Sequence, residues 1–480
     1  MIRIATIAGL ATMALAYFLV PGRTAPPYGT QVDEIFAQWN HPDSPGCAVA
    51  VIEAGGIVYK RGYGKADLEH NIPITPATVF HAASLAKQFT AMSIMLLVEQ
   101  GRLSLDDDVH TYIDELRGLG ASITIRDMLH HISGIKDQWE LVTIAGWRMS
   151  DDVVTRSDVL DLVKRMTSLN FTPRERFLYS NTNYLLAGLI VERVSKRPLS
   201  EFARENIFQP LGMAHTTFTD NHDQIIANHA YGYRGTQPPF DLPPFLMRMP
   251  NYDLTGPTNL LTTVEDLARW ERNFDDKTVG GETALKEMQT PARLSNGTTF
   301  PYGFGLELTS YRGLKTVEHD GRDAGYRSHL LRFPDQHFAV ACLCNLALRD
   351  SNLPGKLARS IADVYLADLL GPTPAQPPPV VAAPRQPAPA DLSKYTGRYY
   401  SEEIDATYVI KMQNSSLVLT RPKFPAADLE PHADDTFKTD HFSEVYPLAT
   451  LRFTRDAQGS VSGFFLDLDR AKNVQFTRSS

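Results

Sequence analysis

Apolar residues along the first 370 positions fall into two periods. The runs CAVAVIEAG (47–55) and IVYKRGYG (57–64) are strand-like and meet at the turn signal Gly55–Gly56. A second pair, YRSHLLRFP (326–334) and FAVACLCNL (338–346), has the same character. Between the two pairs the spacing is mainly helical, over 85–100 and 183–195, and a further helix is predicted over 353–370. Strands at both ends with helices between predict one sheet built from the two ends of the segment, with a helical insertion beside it. The fold class is α/β (α+β), with an antiparallel sheet and flanking helices.

The pattern changes twice more. Residues 371–390 hold eight prolines in twenty positions, which reads as a semi-rigid linker. Beyond it, alternating runs TYVIKM, SLVLT, LRFTR and VSGFFLDL, with turn signals at Gln413–Asn414 and Gln458–Gly459, predict a small antiparallel β sandwich or barrel over 391–480. At the other end Arg3 precedes the uncharged stretch 4–20, with small residues at Ala14, Ala16 and Ala25. Residues 1–25 therefore read as an export signal, placing the protein in the periplasm or outside the cell; left uncleaved, the segment would tether it to a membrane. The body domain is expected over 30–370.

Composition narrows the function classes. At 480 residues, 43% hydrophobic and 21% charged, the chain is globular and long enough for two or three domains. With 47 basic against 55 acidic residues and no basic block, nucleic acid is not the expected partner. Cys47, Cys342 and Cys344 have no zinc spacing. Export makes a disulfide chemically allowed, and pairing of Cys47 with either of the other two stays open; Cys342 and Cys344 read first as small buried residues.

Three stretches carry candidate chemistry. In HAASLAKQFTAMSIMLLVEQGRL, Leu85, Phe89, Met92, Leu96 and Leu97 fall at helical spacing, which puts Ser84 at a helix N-terminus and Lys87 on the same face. Amide donors there favour negative charge near the serine oxygen, and a buried lysine can lose its proton and become a base. Alone, the pair reads first as a capping serine followed by a solvated lysine. In FTPRERFLYSNTNYLLAGLIVERVS, Tyr179, Ser180 and Asn181 stand just before a helix. A tyrosine beside a cation can titrate low enough to act as base and an asparagine amide can orient a substrate amide; a core aromatic and a helix cap leave the same trace. In KTVEHDGRDAGYRSHLLRFP, His319-Asp320-Gly321 is expected to close one strand and Gly325 to open the next, with glycine letting a substrate backbone approach and His319 donating to substrate or to the Tyr179 oxygen. A plain turn would look the same.

Order and spacing together resemble the serine β-lactamase and penicillin-binding-protein superfamily, in its class C-like branch. Ser84-Leu85-Ala86-Lys87 matches its S-x-x-K, Tyr179-Ser180-Asn181 its Y-x-N and His319-Asp320-Gly321 its third motif, with support from TIRDMLHHISGI, IFQPLGM and YGFGLEL. The resemblance covers about 35–350. It implies a β-lactamase/transpeptidase-like fold, Ser84 as acylated nucleophile, Lys87 and Tyr179 sharing proton traffic, Asn181, His319 and Gly321 binding substrate, and backbone amides of Ser84 and Arg322 forming the oxyanion hole. His130 and His131 match a structural turn. No metal and no organic cofactor is implied.

Departures bear on substrate. His319 stands where many β-lactamases carry lysine, which resembles the esterase and D-amino-acid peptidase relatives more closely. No E-x-x-L-N stretch supplies a class A deacylating glutamate. Arg174 follows Pro173 where relatives often have glycine, which puts that turn in question. The tail is similar to lipocalin-like modules of D-aminopeptidase and esterase relatives. The expectation is an exported serine hydrolase of amides or esters, chiefly D-residue peptides (DD-peptidase or D-aminopeptidase); small-ester hydrolysis, β-lactam hydrolysis and a non-catalytic receptor follow in that order.

Overall fold

The computed structural model describes residues 28–236, 244–348, 352–373 and 391–479; the expected export signal and all but the first three residues of the proline-rich stretch lie outside them. Six antiparallel strands form the central sheet, in the order Glu307–Tyr311, Leu314–Asp323, Tyr326–Phe333, Phe338–Cys344, Cys47–Glu53, Gly56–Tyr63. The two ends of the body meet in its middle, where Val49 pairs with Cys342 and Val51 with Val340. Both faces are covered, so strand Cys47–Glu53 is buried from Cys47 to Ile52. Val49, Val51, Val340 and Cys342 face a layer containing Val32, Leu357 and Ile361 from helices Gly29–Ile35 and Leu353–Tyr365. Ala48, Ala50 and Ile52 point the other way, into the larger core with Phe89, Met92 and Trp270.

Cys47 is disulfide-bonded to Cys344, its register partner, and Cys342 remains a buried free thiol.

Helix Ala86–Glu99 runs through the middle of the larger core, with only Leu96, Val98 and Glu99 short of full burial. Its polar side chains are satisfied within the fold. Gln88 accepts from Trp270 Nε1 at 2.8 Å, and Thr90 donates to the Gly256 carbonyl at 2.8 Å. Helix Asn181–Ser195 packs against it.

The tail is a closed eight-stranded barrel running from Gly397–Ser401 to Val474–Ser479, each strand paired with the next and the last with the first. Closure removes the sheet edges. Tyr399, Tyr408, Phe437, Phe453, Phe464 and Phe476 are buried and in ring contact, Phe464 stacking on Phe476 at 4.7 Å. The barrel rests on helix Gln138–Ala145 and the segments beside it. Tyr408 donates to the Ile144 carbonyl at 2.6 Å, Arg421 to the Thr143 carbonyl at 3.0 Å, and Lys136 pairs with Glu403 at 2.5 Å.

Candidate active site

Ser84 lies in the 3-10 turn Ala83–Leu85, which feeds directly into helix Ala86–Glu99. Ala83 holds φ +50, a conformation that needs outside support in a residue with a Cβ. Its N–H donates to His81 Nδ1 at 3.2 Å, leaving His81 Nε2–H for Asn259 Oδ1 at 3.1 Å. From the sheet side, Ser328 donates to the Ala82 carbonyl at 2.7 Å. Gly321, opposite Ser328, packs on the same turn, and a Cβ there would sit 2.1 Å from Ser328 Oγ and 2.6 Å from the Ala82 oxygen. The glycine of the third motif is thus what lets strand Leu314–Asp323 lie against the serine turn.

Lys87 sits one turn on, fully buried. Nζ lies 3.0 Å from Ser84 Oγ and donates to Asn181 Oδ1 at 2.9 Å and to the Pro257 carbonyl at 2.8 Å. Burial lowers its pKa to about 7, opposed by the negative charge of Asp137. Tyr179 donates to Ser84 Oγ at 3.0 Å. Burial pushes this phenol well above its ordinary range, the opposite of the low-titrating base expected from the sequence. Desolvation of the tyrosinate outweighs the neighbouring cations, so Tyr179 stands as a neutral hydroxyl.

Asn181 begins helix Asn181–Ser195, and its backbone N–H and Nδ2 both donate to Asp137 Oδ2, at 2.7 and 2.8 Å. With Oδ1 on Lys87, the side chain orients the lysine and keeps one amide hydrogen for anything else.

His319 lies inside the ten-residue strand Leu314–Asp323, not at its close. Its Nδ1–H donates to the Asp320 carbonyl at 2.5 Å and its Nε2 accepts from Tyr302 Oη at 3.0 Å. Both ring nitrogens are occupied, neither by the Tyr179 oxygen. Burial lowers the pKa of His319 to about 4, so the ring is neutral. Arg322 follows Gly321 on the same strand, its side chain paired with Asp320 at 2.9 Å. Gly325 precedes strand Tyr326–Phe333, and a Cβ on it would come within 2.3 Å of the Gly232–Tyr233 backbone; its smallness serves packing, not substrate approach.

Four groups enter that sequence reasoning did not place here. His131, at φ +57, accepts from the Ser180 N–H at 3.1 Å and packs at a tilt on the Tyr179 ring at 4.2 Å, fixing the segment that carries the phenol. The Pro257 carbonyl comes from a segment with no local signal. Asp137 caps helix Gln138–Ala145, accepting from the Trp139 N–H at 3.0 Å, and would be read from sequence as a cap alone. Arg470 arrives from the barrel, with its guanidinium 5.6 Å from the centre of the Tyr179 ring.

Comparison with known proteins places this arrangement. The beta-lactamase family model matches residues 32–362, and a domain of unknown function (DUF3471) matches residues 382–478. The chain is 28% identical over 301 residues to a D-aminopeptidase of Gluconobacter oxydans, spanning 63% of this chain and 56% of that protein. It is 30% identical over 308 residues to penicillin-binding protein 4* of Bacillus subtilis, covering 62% of this chain and 67% of the relative. Among solved structures, the octameric penicillin-binding protein homologue from Pyrococcus abyssi aligns over 94% of this chain and 98% of its own, with a TM-score of 0.60 at 24% identity. The D-amino acid amidase of Ochrobactrum anthropi aligns over 71% and 97%, with a TM-score of 0.58 at 24% identity. The chain belongs to the beta-lactamase family of serine hydrolases and is related to D-aminopeptidases and penicillin-binding proteins.

Proposed function

We propose that this protein is an exported serine hydrolase that passes its substrate through an acyl-enzyme on Ser84, with D-residue-containing peptides as the substrate class. The observation that carries the reading is the array around Ser84 Oγ, with Lys87 Nζ and Tyr179 Oη each at 3.0 Å and Lys87 lowered to about 7. Neutral Lys87 takes the serine proton as Oγ bonds to the substrate carbonyl carbon. Backbone amides of Ser84 and Arg322 hold the oxyanion. As the carbon–nitrogen bond breaks, the Tyr179 hydroxyl gives its proton to the leaving amine and is reprotonated from Lys87. Water then adds to the ester along the same path in reverse, freeing Ser84. Support for the substrate class comes from the relatives named as a D-aminopeptidase and a D-amino acid amidase. Gly321 and the remaining amide hydrogen of Asn181 border the acyl side, and the neutral His319 adds no fixed positive charge there. That last feature also favours the second reading, a small-ester hydrolase, over a β-lactamase, whose substrate carries a carboxylate.

Intact-mass analysis after exposure to benzylpenicillin tests the nucleophile. Wild type is expected to turn over D-alanine p-nitroanilide or p-nitrophenyl acetate and Ser84→Ala neither, and any penicilloyl group gained is expected on wild type alone. A Ser84→Ala protein that hydrolyses either substrate at the parent rate would overturn the reading.

A further inference from the structure

The hairpin loop 468–473, between barrel strands Val461–Asp467 and Val474–Ser479, inserts into the body rather than ending in solvent. Its backbone is tied down on both sides. The Arg470 carbonyl accepts from the Asp137 N–H at 3.0 Å and from Asn170 Nδ2 at 2.9 Å. The Arg470 N–H donates to Glu140 Oε2 at 2.6 Å, and the Lys472 N–H to Asn170 Oδ1 at 2.7 Å. The loop would therefore keep its place without the arginine side chain.

The side chain faces two carboxylates that are completely buried. Its guanidinium is 3.8 Å from Asp137 Oδ2 and 3.6 Å from Glu140 Oε1. Buried acids need a cation, and two cations compete for Asp137: Arg470 on one side and, through Asn181, Lys87 on the other. Lys87 is useful as a base only if it can let its proton go.

We propose that Arg470 is a positioning residue of the active site: by pairing with Asp137 and Glu140 it fixes the carboxylate that holds Asn181 and Lys87, and takes up the negative charge that would otherwise keep Lys87 protonated. The inference rests on the assignment of Ser84, Lys87 and Tyr179 given above. It makes the barrel a working part of the catalytic centre. Glu140 agrees with it, since burial beside Asp137 raises this carboxyl to about 7, as expected where one guanidinium serves two acids.

The charge environment of Lys87 sets the sign of the test. Asp137, Asp320 and Asp323 raise its pKa, Arg470 lowers it, and the buried His131, His319 and Tyr184 and the partly exposed Tyr179 are neutral neighbours. Loss of Arg470 leaves Asp137 unopposed, so the pKa of Lys87 rises. The acid limb of kcat/KM against pH then moves upward, by about one unit, which is roughly fivefold less activity at pH 7 and convergence with the parent at high pH. The experiment compares parent, Ser84→Ala, Arg470→Gln, Arg470→Lys and the double variant Asp137→Asn/Arg470→Gln on D-alanine p-nitroanilide and p-nitrophenyl acetate.

Arg470→Gln is expected to shift the limb upward, Arg470→Lys to hold it near the parent's, and the double variant, with both charges gone, to bring it back. The double variant also answers if Arg470→Gln alone folds poorly around an unpaired Asp137, since Glu140, already raised to about 7, can take a proton when its cation is lost. An unmoved limb, or a loss equal at every pH, in an enzyme whose Ser84→Ala form is inactive would overturn the role of Arg470 alone. A parent that turns over neither substrate, or a Ser84→Ala form as active as the parent, would overturn the acyl-enzyme reading and this inference with it.

Discussion

Ser84 owes its position to a contact that a single methyl group would break. Gly321 brings strand Leu314–Asp323 against the Ala82 carbonyl and Ser328 hydroxyl, and Ala83 stands beside it in a left-handed conformation held by His81. Both clashing atoms are constrained, Ser328 Oγ by its bond to the Ala82 carbonyl and that carbonyl by the turn itself, so neither yields cheaply. Gly321→Ala is therefore expected to move the serine turn, costing roughly 1–3 kcal/mol of stability. The loss of activity should be larger, about 100-fold in kcat/KM, because a shift near 1 Å takes Ser84 Oγ out of reach of Lys87 and Tyr179 together. Urea unfolding and steady-state kinetics on one preparation separate the two effects. Equal kinetics for Gly321→Ala and parent would show that the turn does not depend on this contact.

Elements differ in how openly they announce themselves. Helix Ala86–Glu99 and helix Asn181–Ser195 were legible from spacing, because local periodicity reports local structure, and each carries its chemistry at its first turn. The grouping of Ser84, Lys87, Tyr179 and Asn181 came from motif order, and the structure brings all four into one hydrogen-bonded set. Asp137 and Arg470 were not legible. Their significance arises from contacts across 44 and 330 positions, Asp137 to Asn181 and Arg470 to Glu140, which no local pattern encodes. The direction of the Tyr179 shift was missed for a related reason, since proximity to a cation can be guessed from motifs and desolvation of the phenol cannot.

The turn at Arg174, questioned because glycine is expected there, keeps its shape at φ +69, its N–H donating to the Ile132 carbonyl at 2.7 Å and its carbonyl accepting from Ser295 at 2.8 Å. A left-handed residue with a Cβ is strained, and the Arg174 side chain is half-exposed and 3.9 Å from Asp127, too loose to offset much. Arg174→Gly is expected to stabilise the fold by about 0.5 kcal/mol, while Arg174→Ala does not. A thermal melt in which alanine gains as much as glycine would assign the effect to the side chain and not to the backbone.

At the scale of the whole molecule, the barrel is joined to the body by buried polar contacts, among them the Lys136–Glu403 ion pair, with side chains 0% and 5% exposed. Burial lowers the pKa of Lys136 and raises that of Glu403, each opposed by the other's charge, so the two ions depend on staying together. Glu403→Gln removes one of them. Lys136 keeps Ser168 Oγ at 3.1 Å and the more distant charge of Asp467 but loses its ion-pair partner, and the expected cost is roughly 3 kcal/mol. The exposed pair Lys394–Asp391, 3.8 Å apart, is the matched control; Lys394→Gln should change stability by less than about 0.5 kcal/mol. Because the same docking brings the 468–473 loop to Asp137, weakening it has a second expected consequence. Glu403→Gln should move the acid limb of kcat/KM upward in the direction of Arg470→Gln, though by less, since the loop keeps its own backbone hydrogen bonds. A Glu403→Gln enzyme that loses stability while its pH profile stays at the parent's would mean that the loop holds its place independently of the joint, and that the barrel's contribution to the site is confined to the hairpin that enters it.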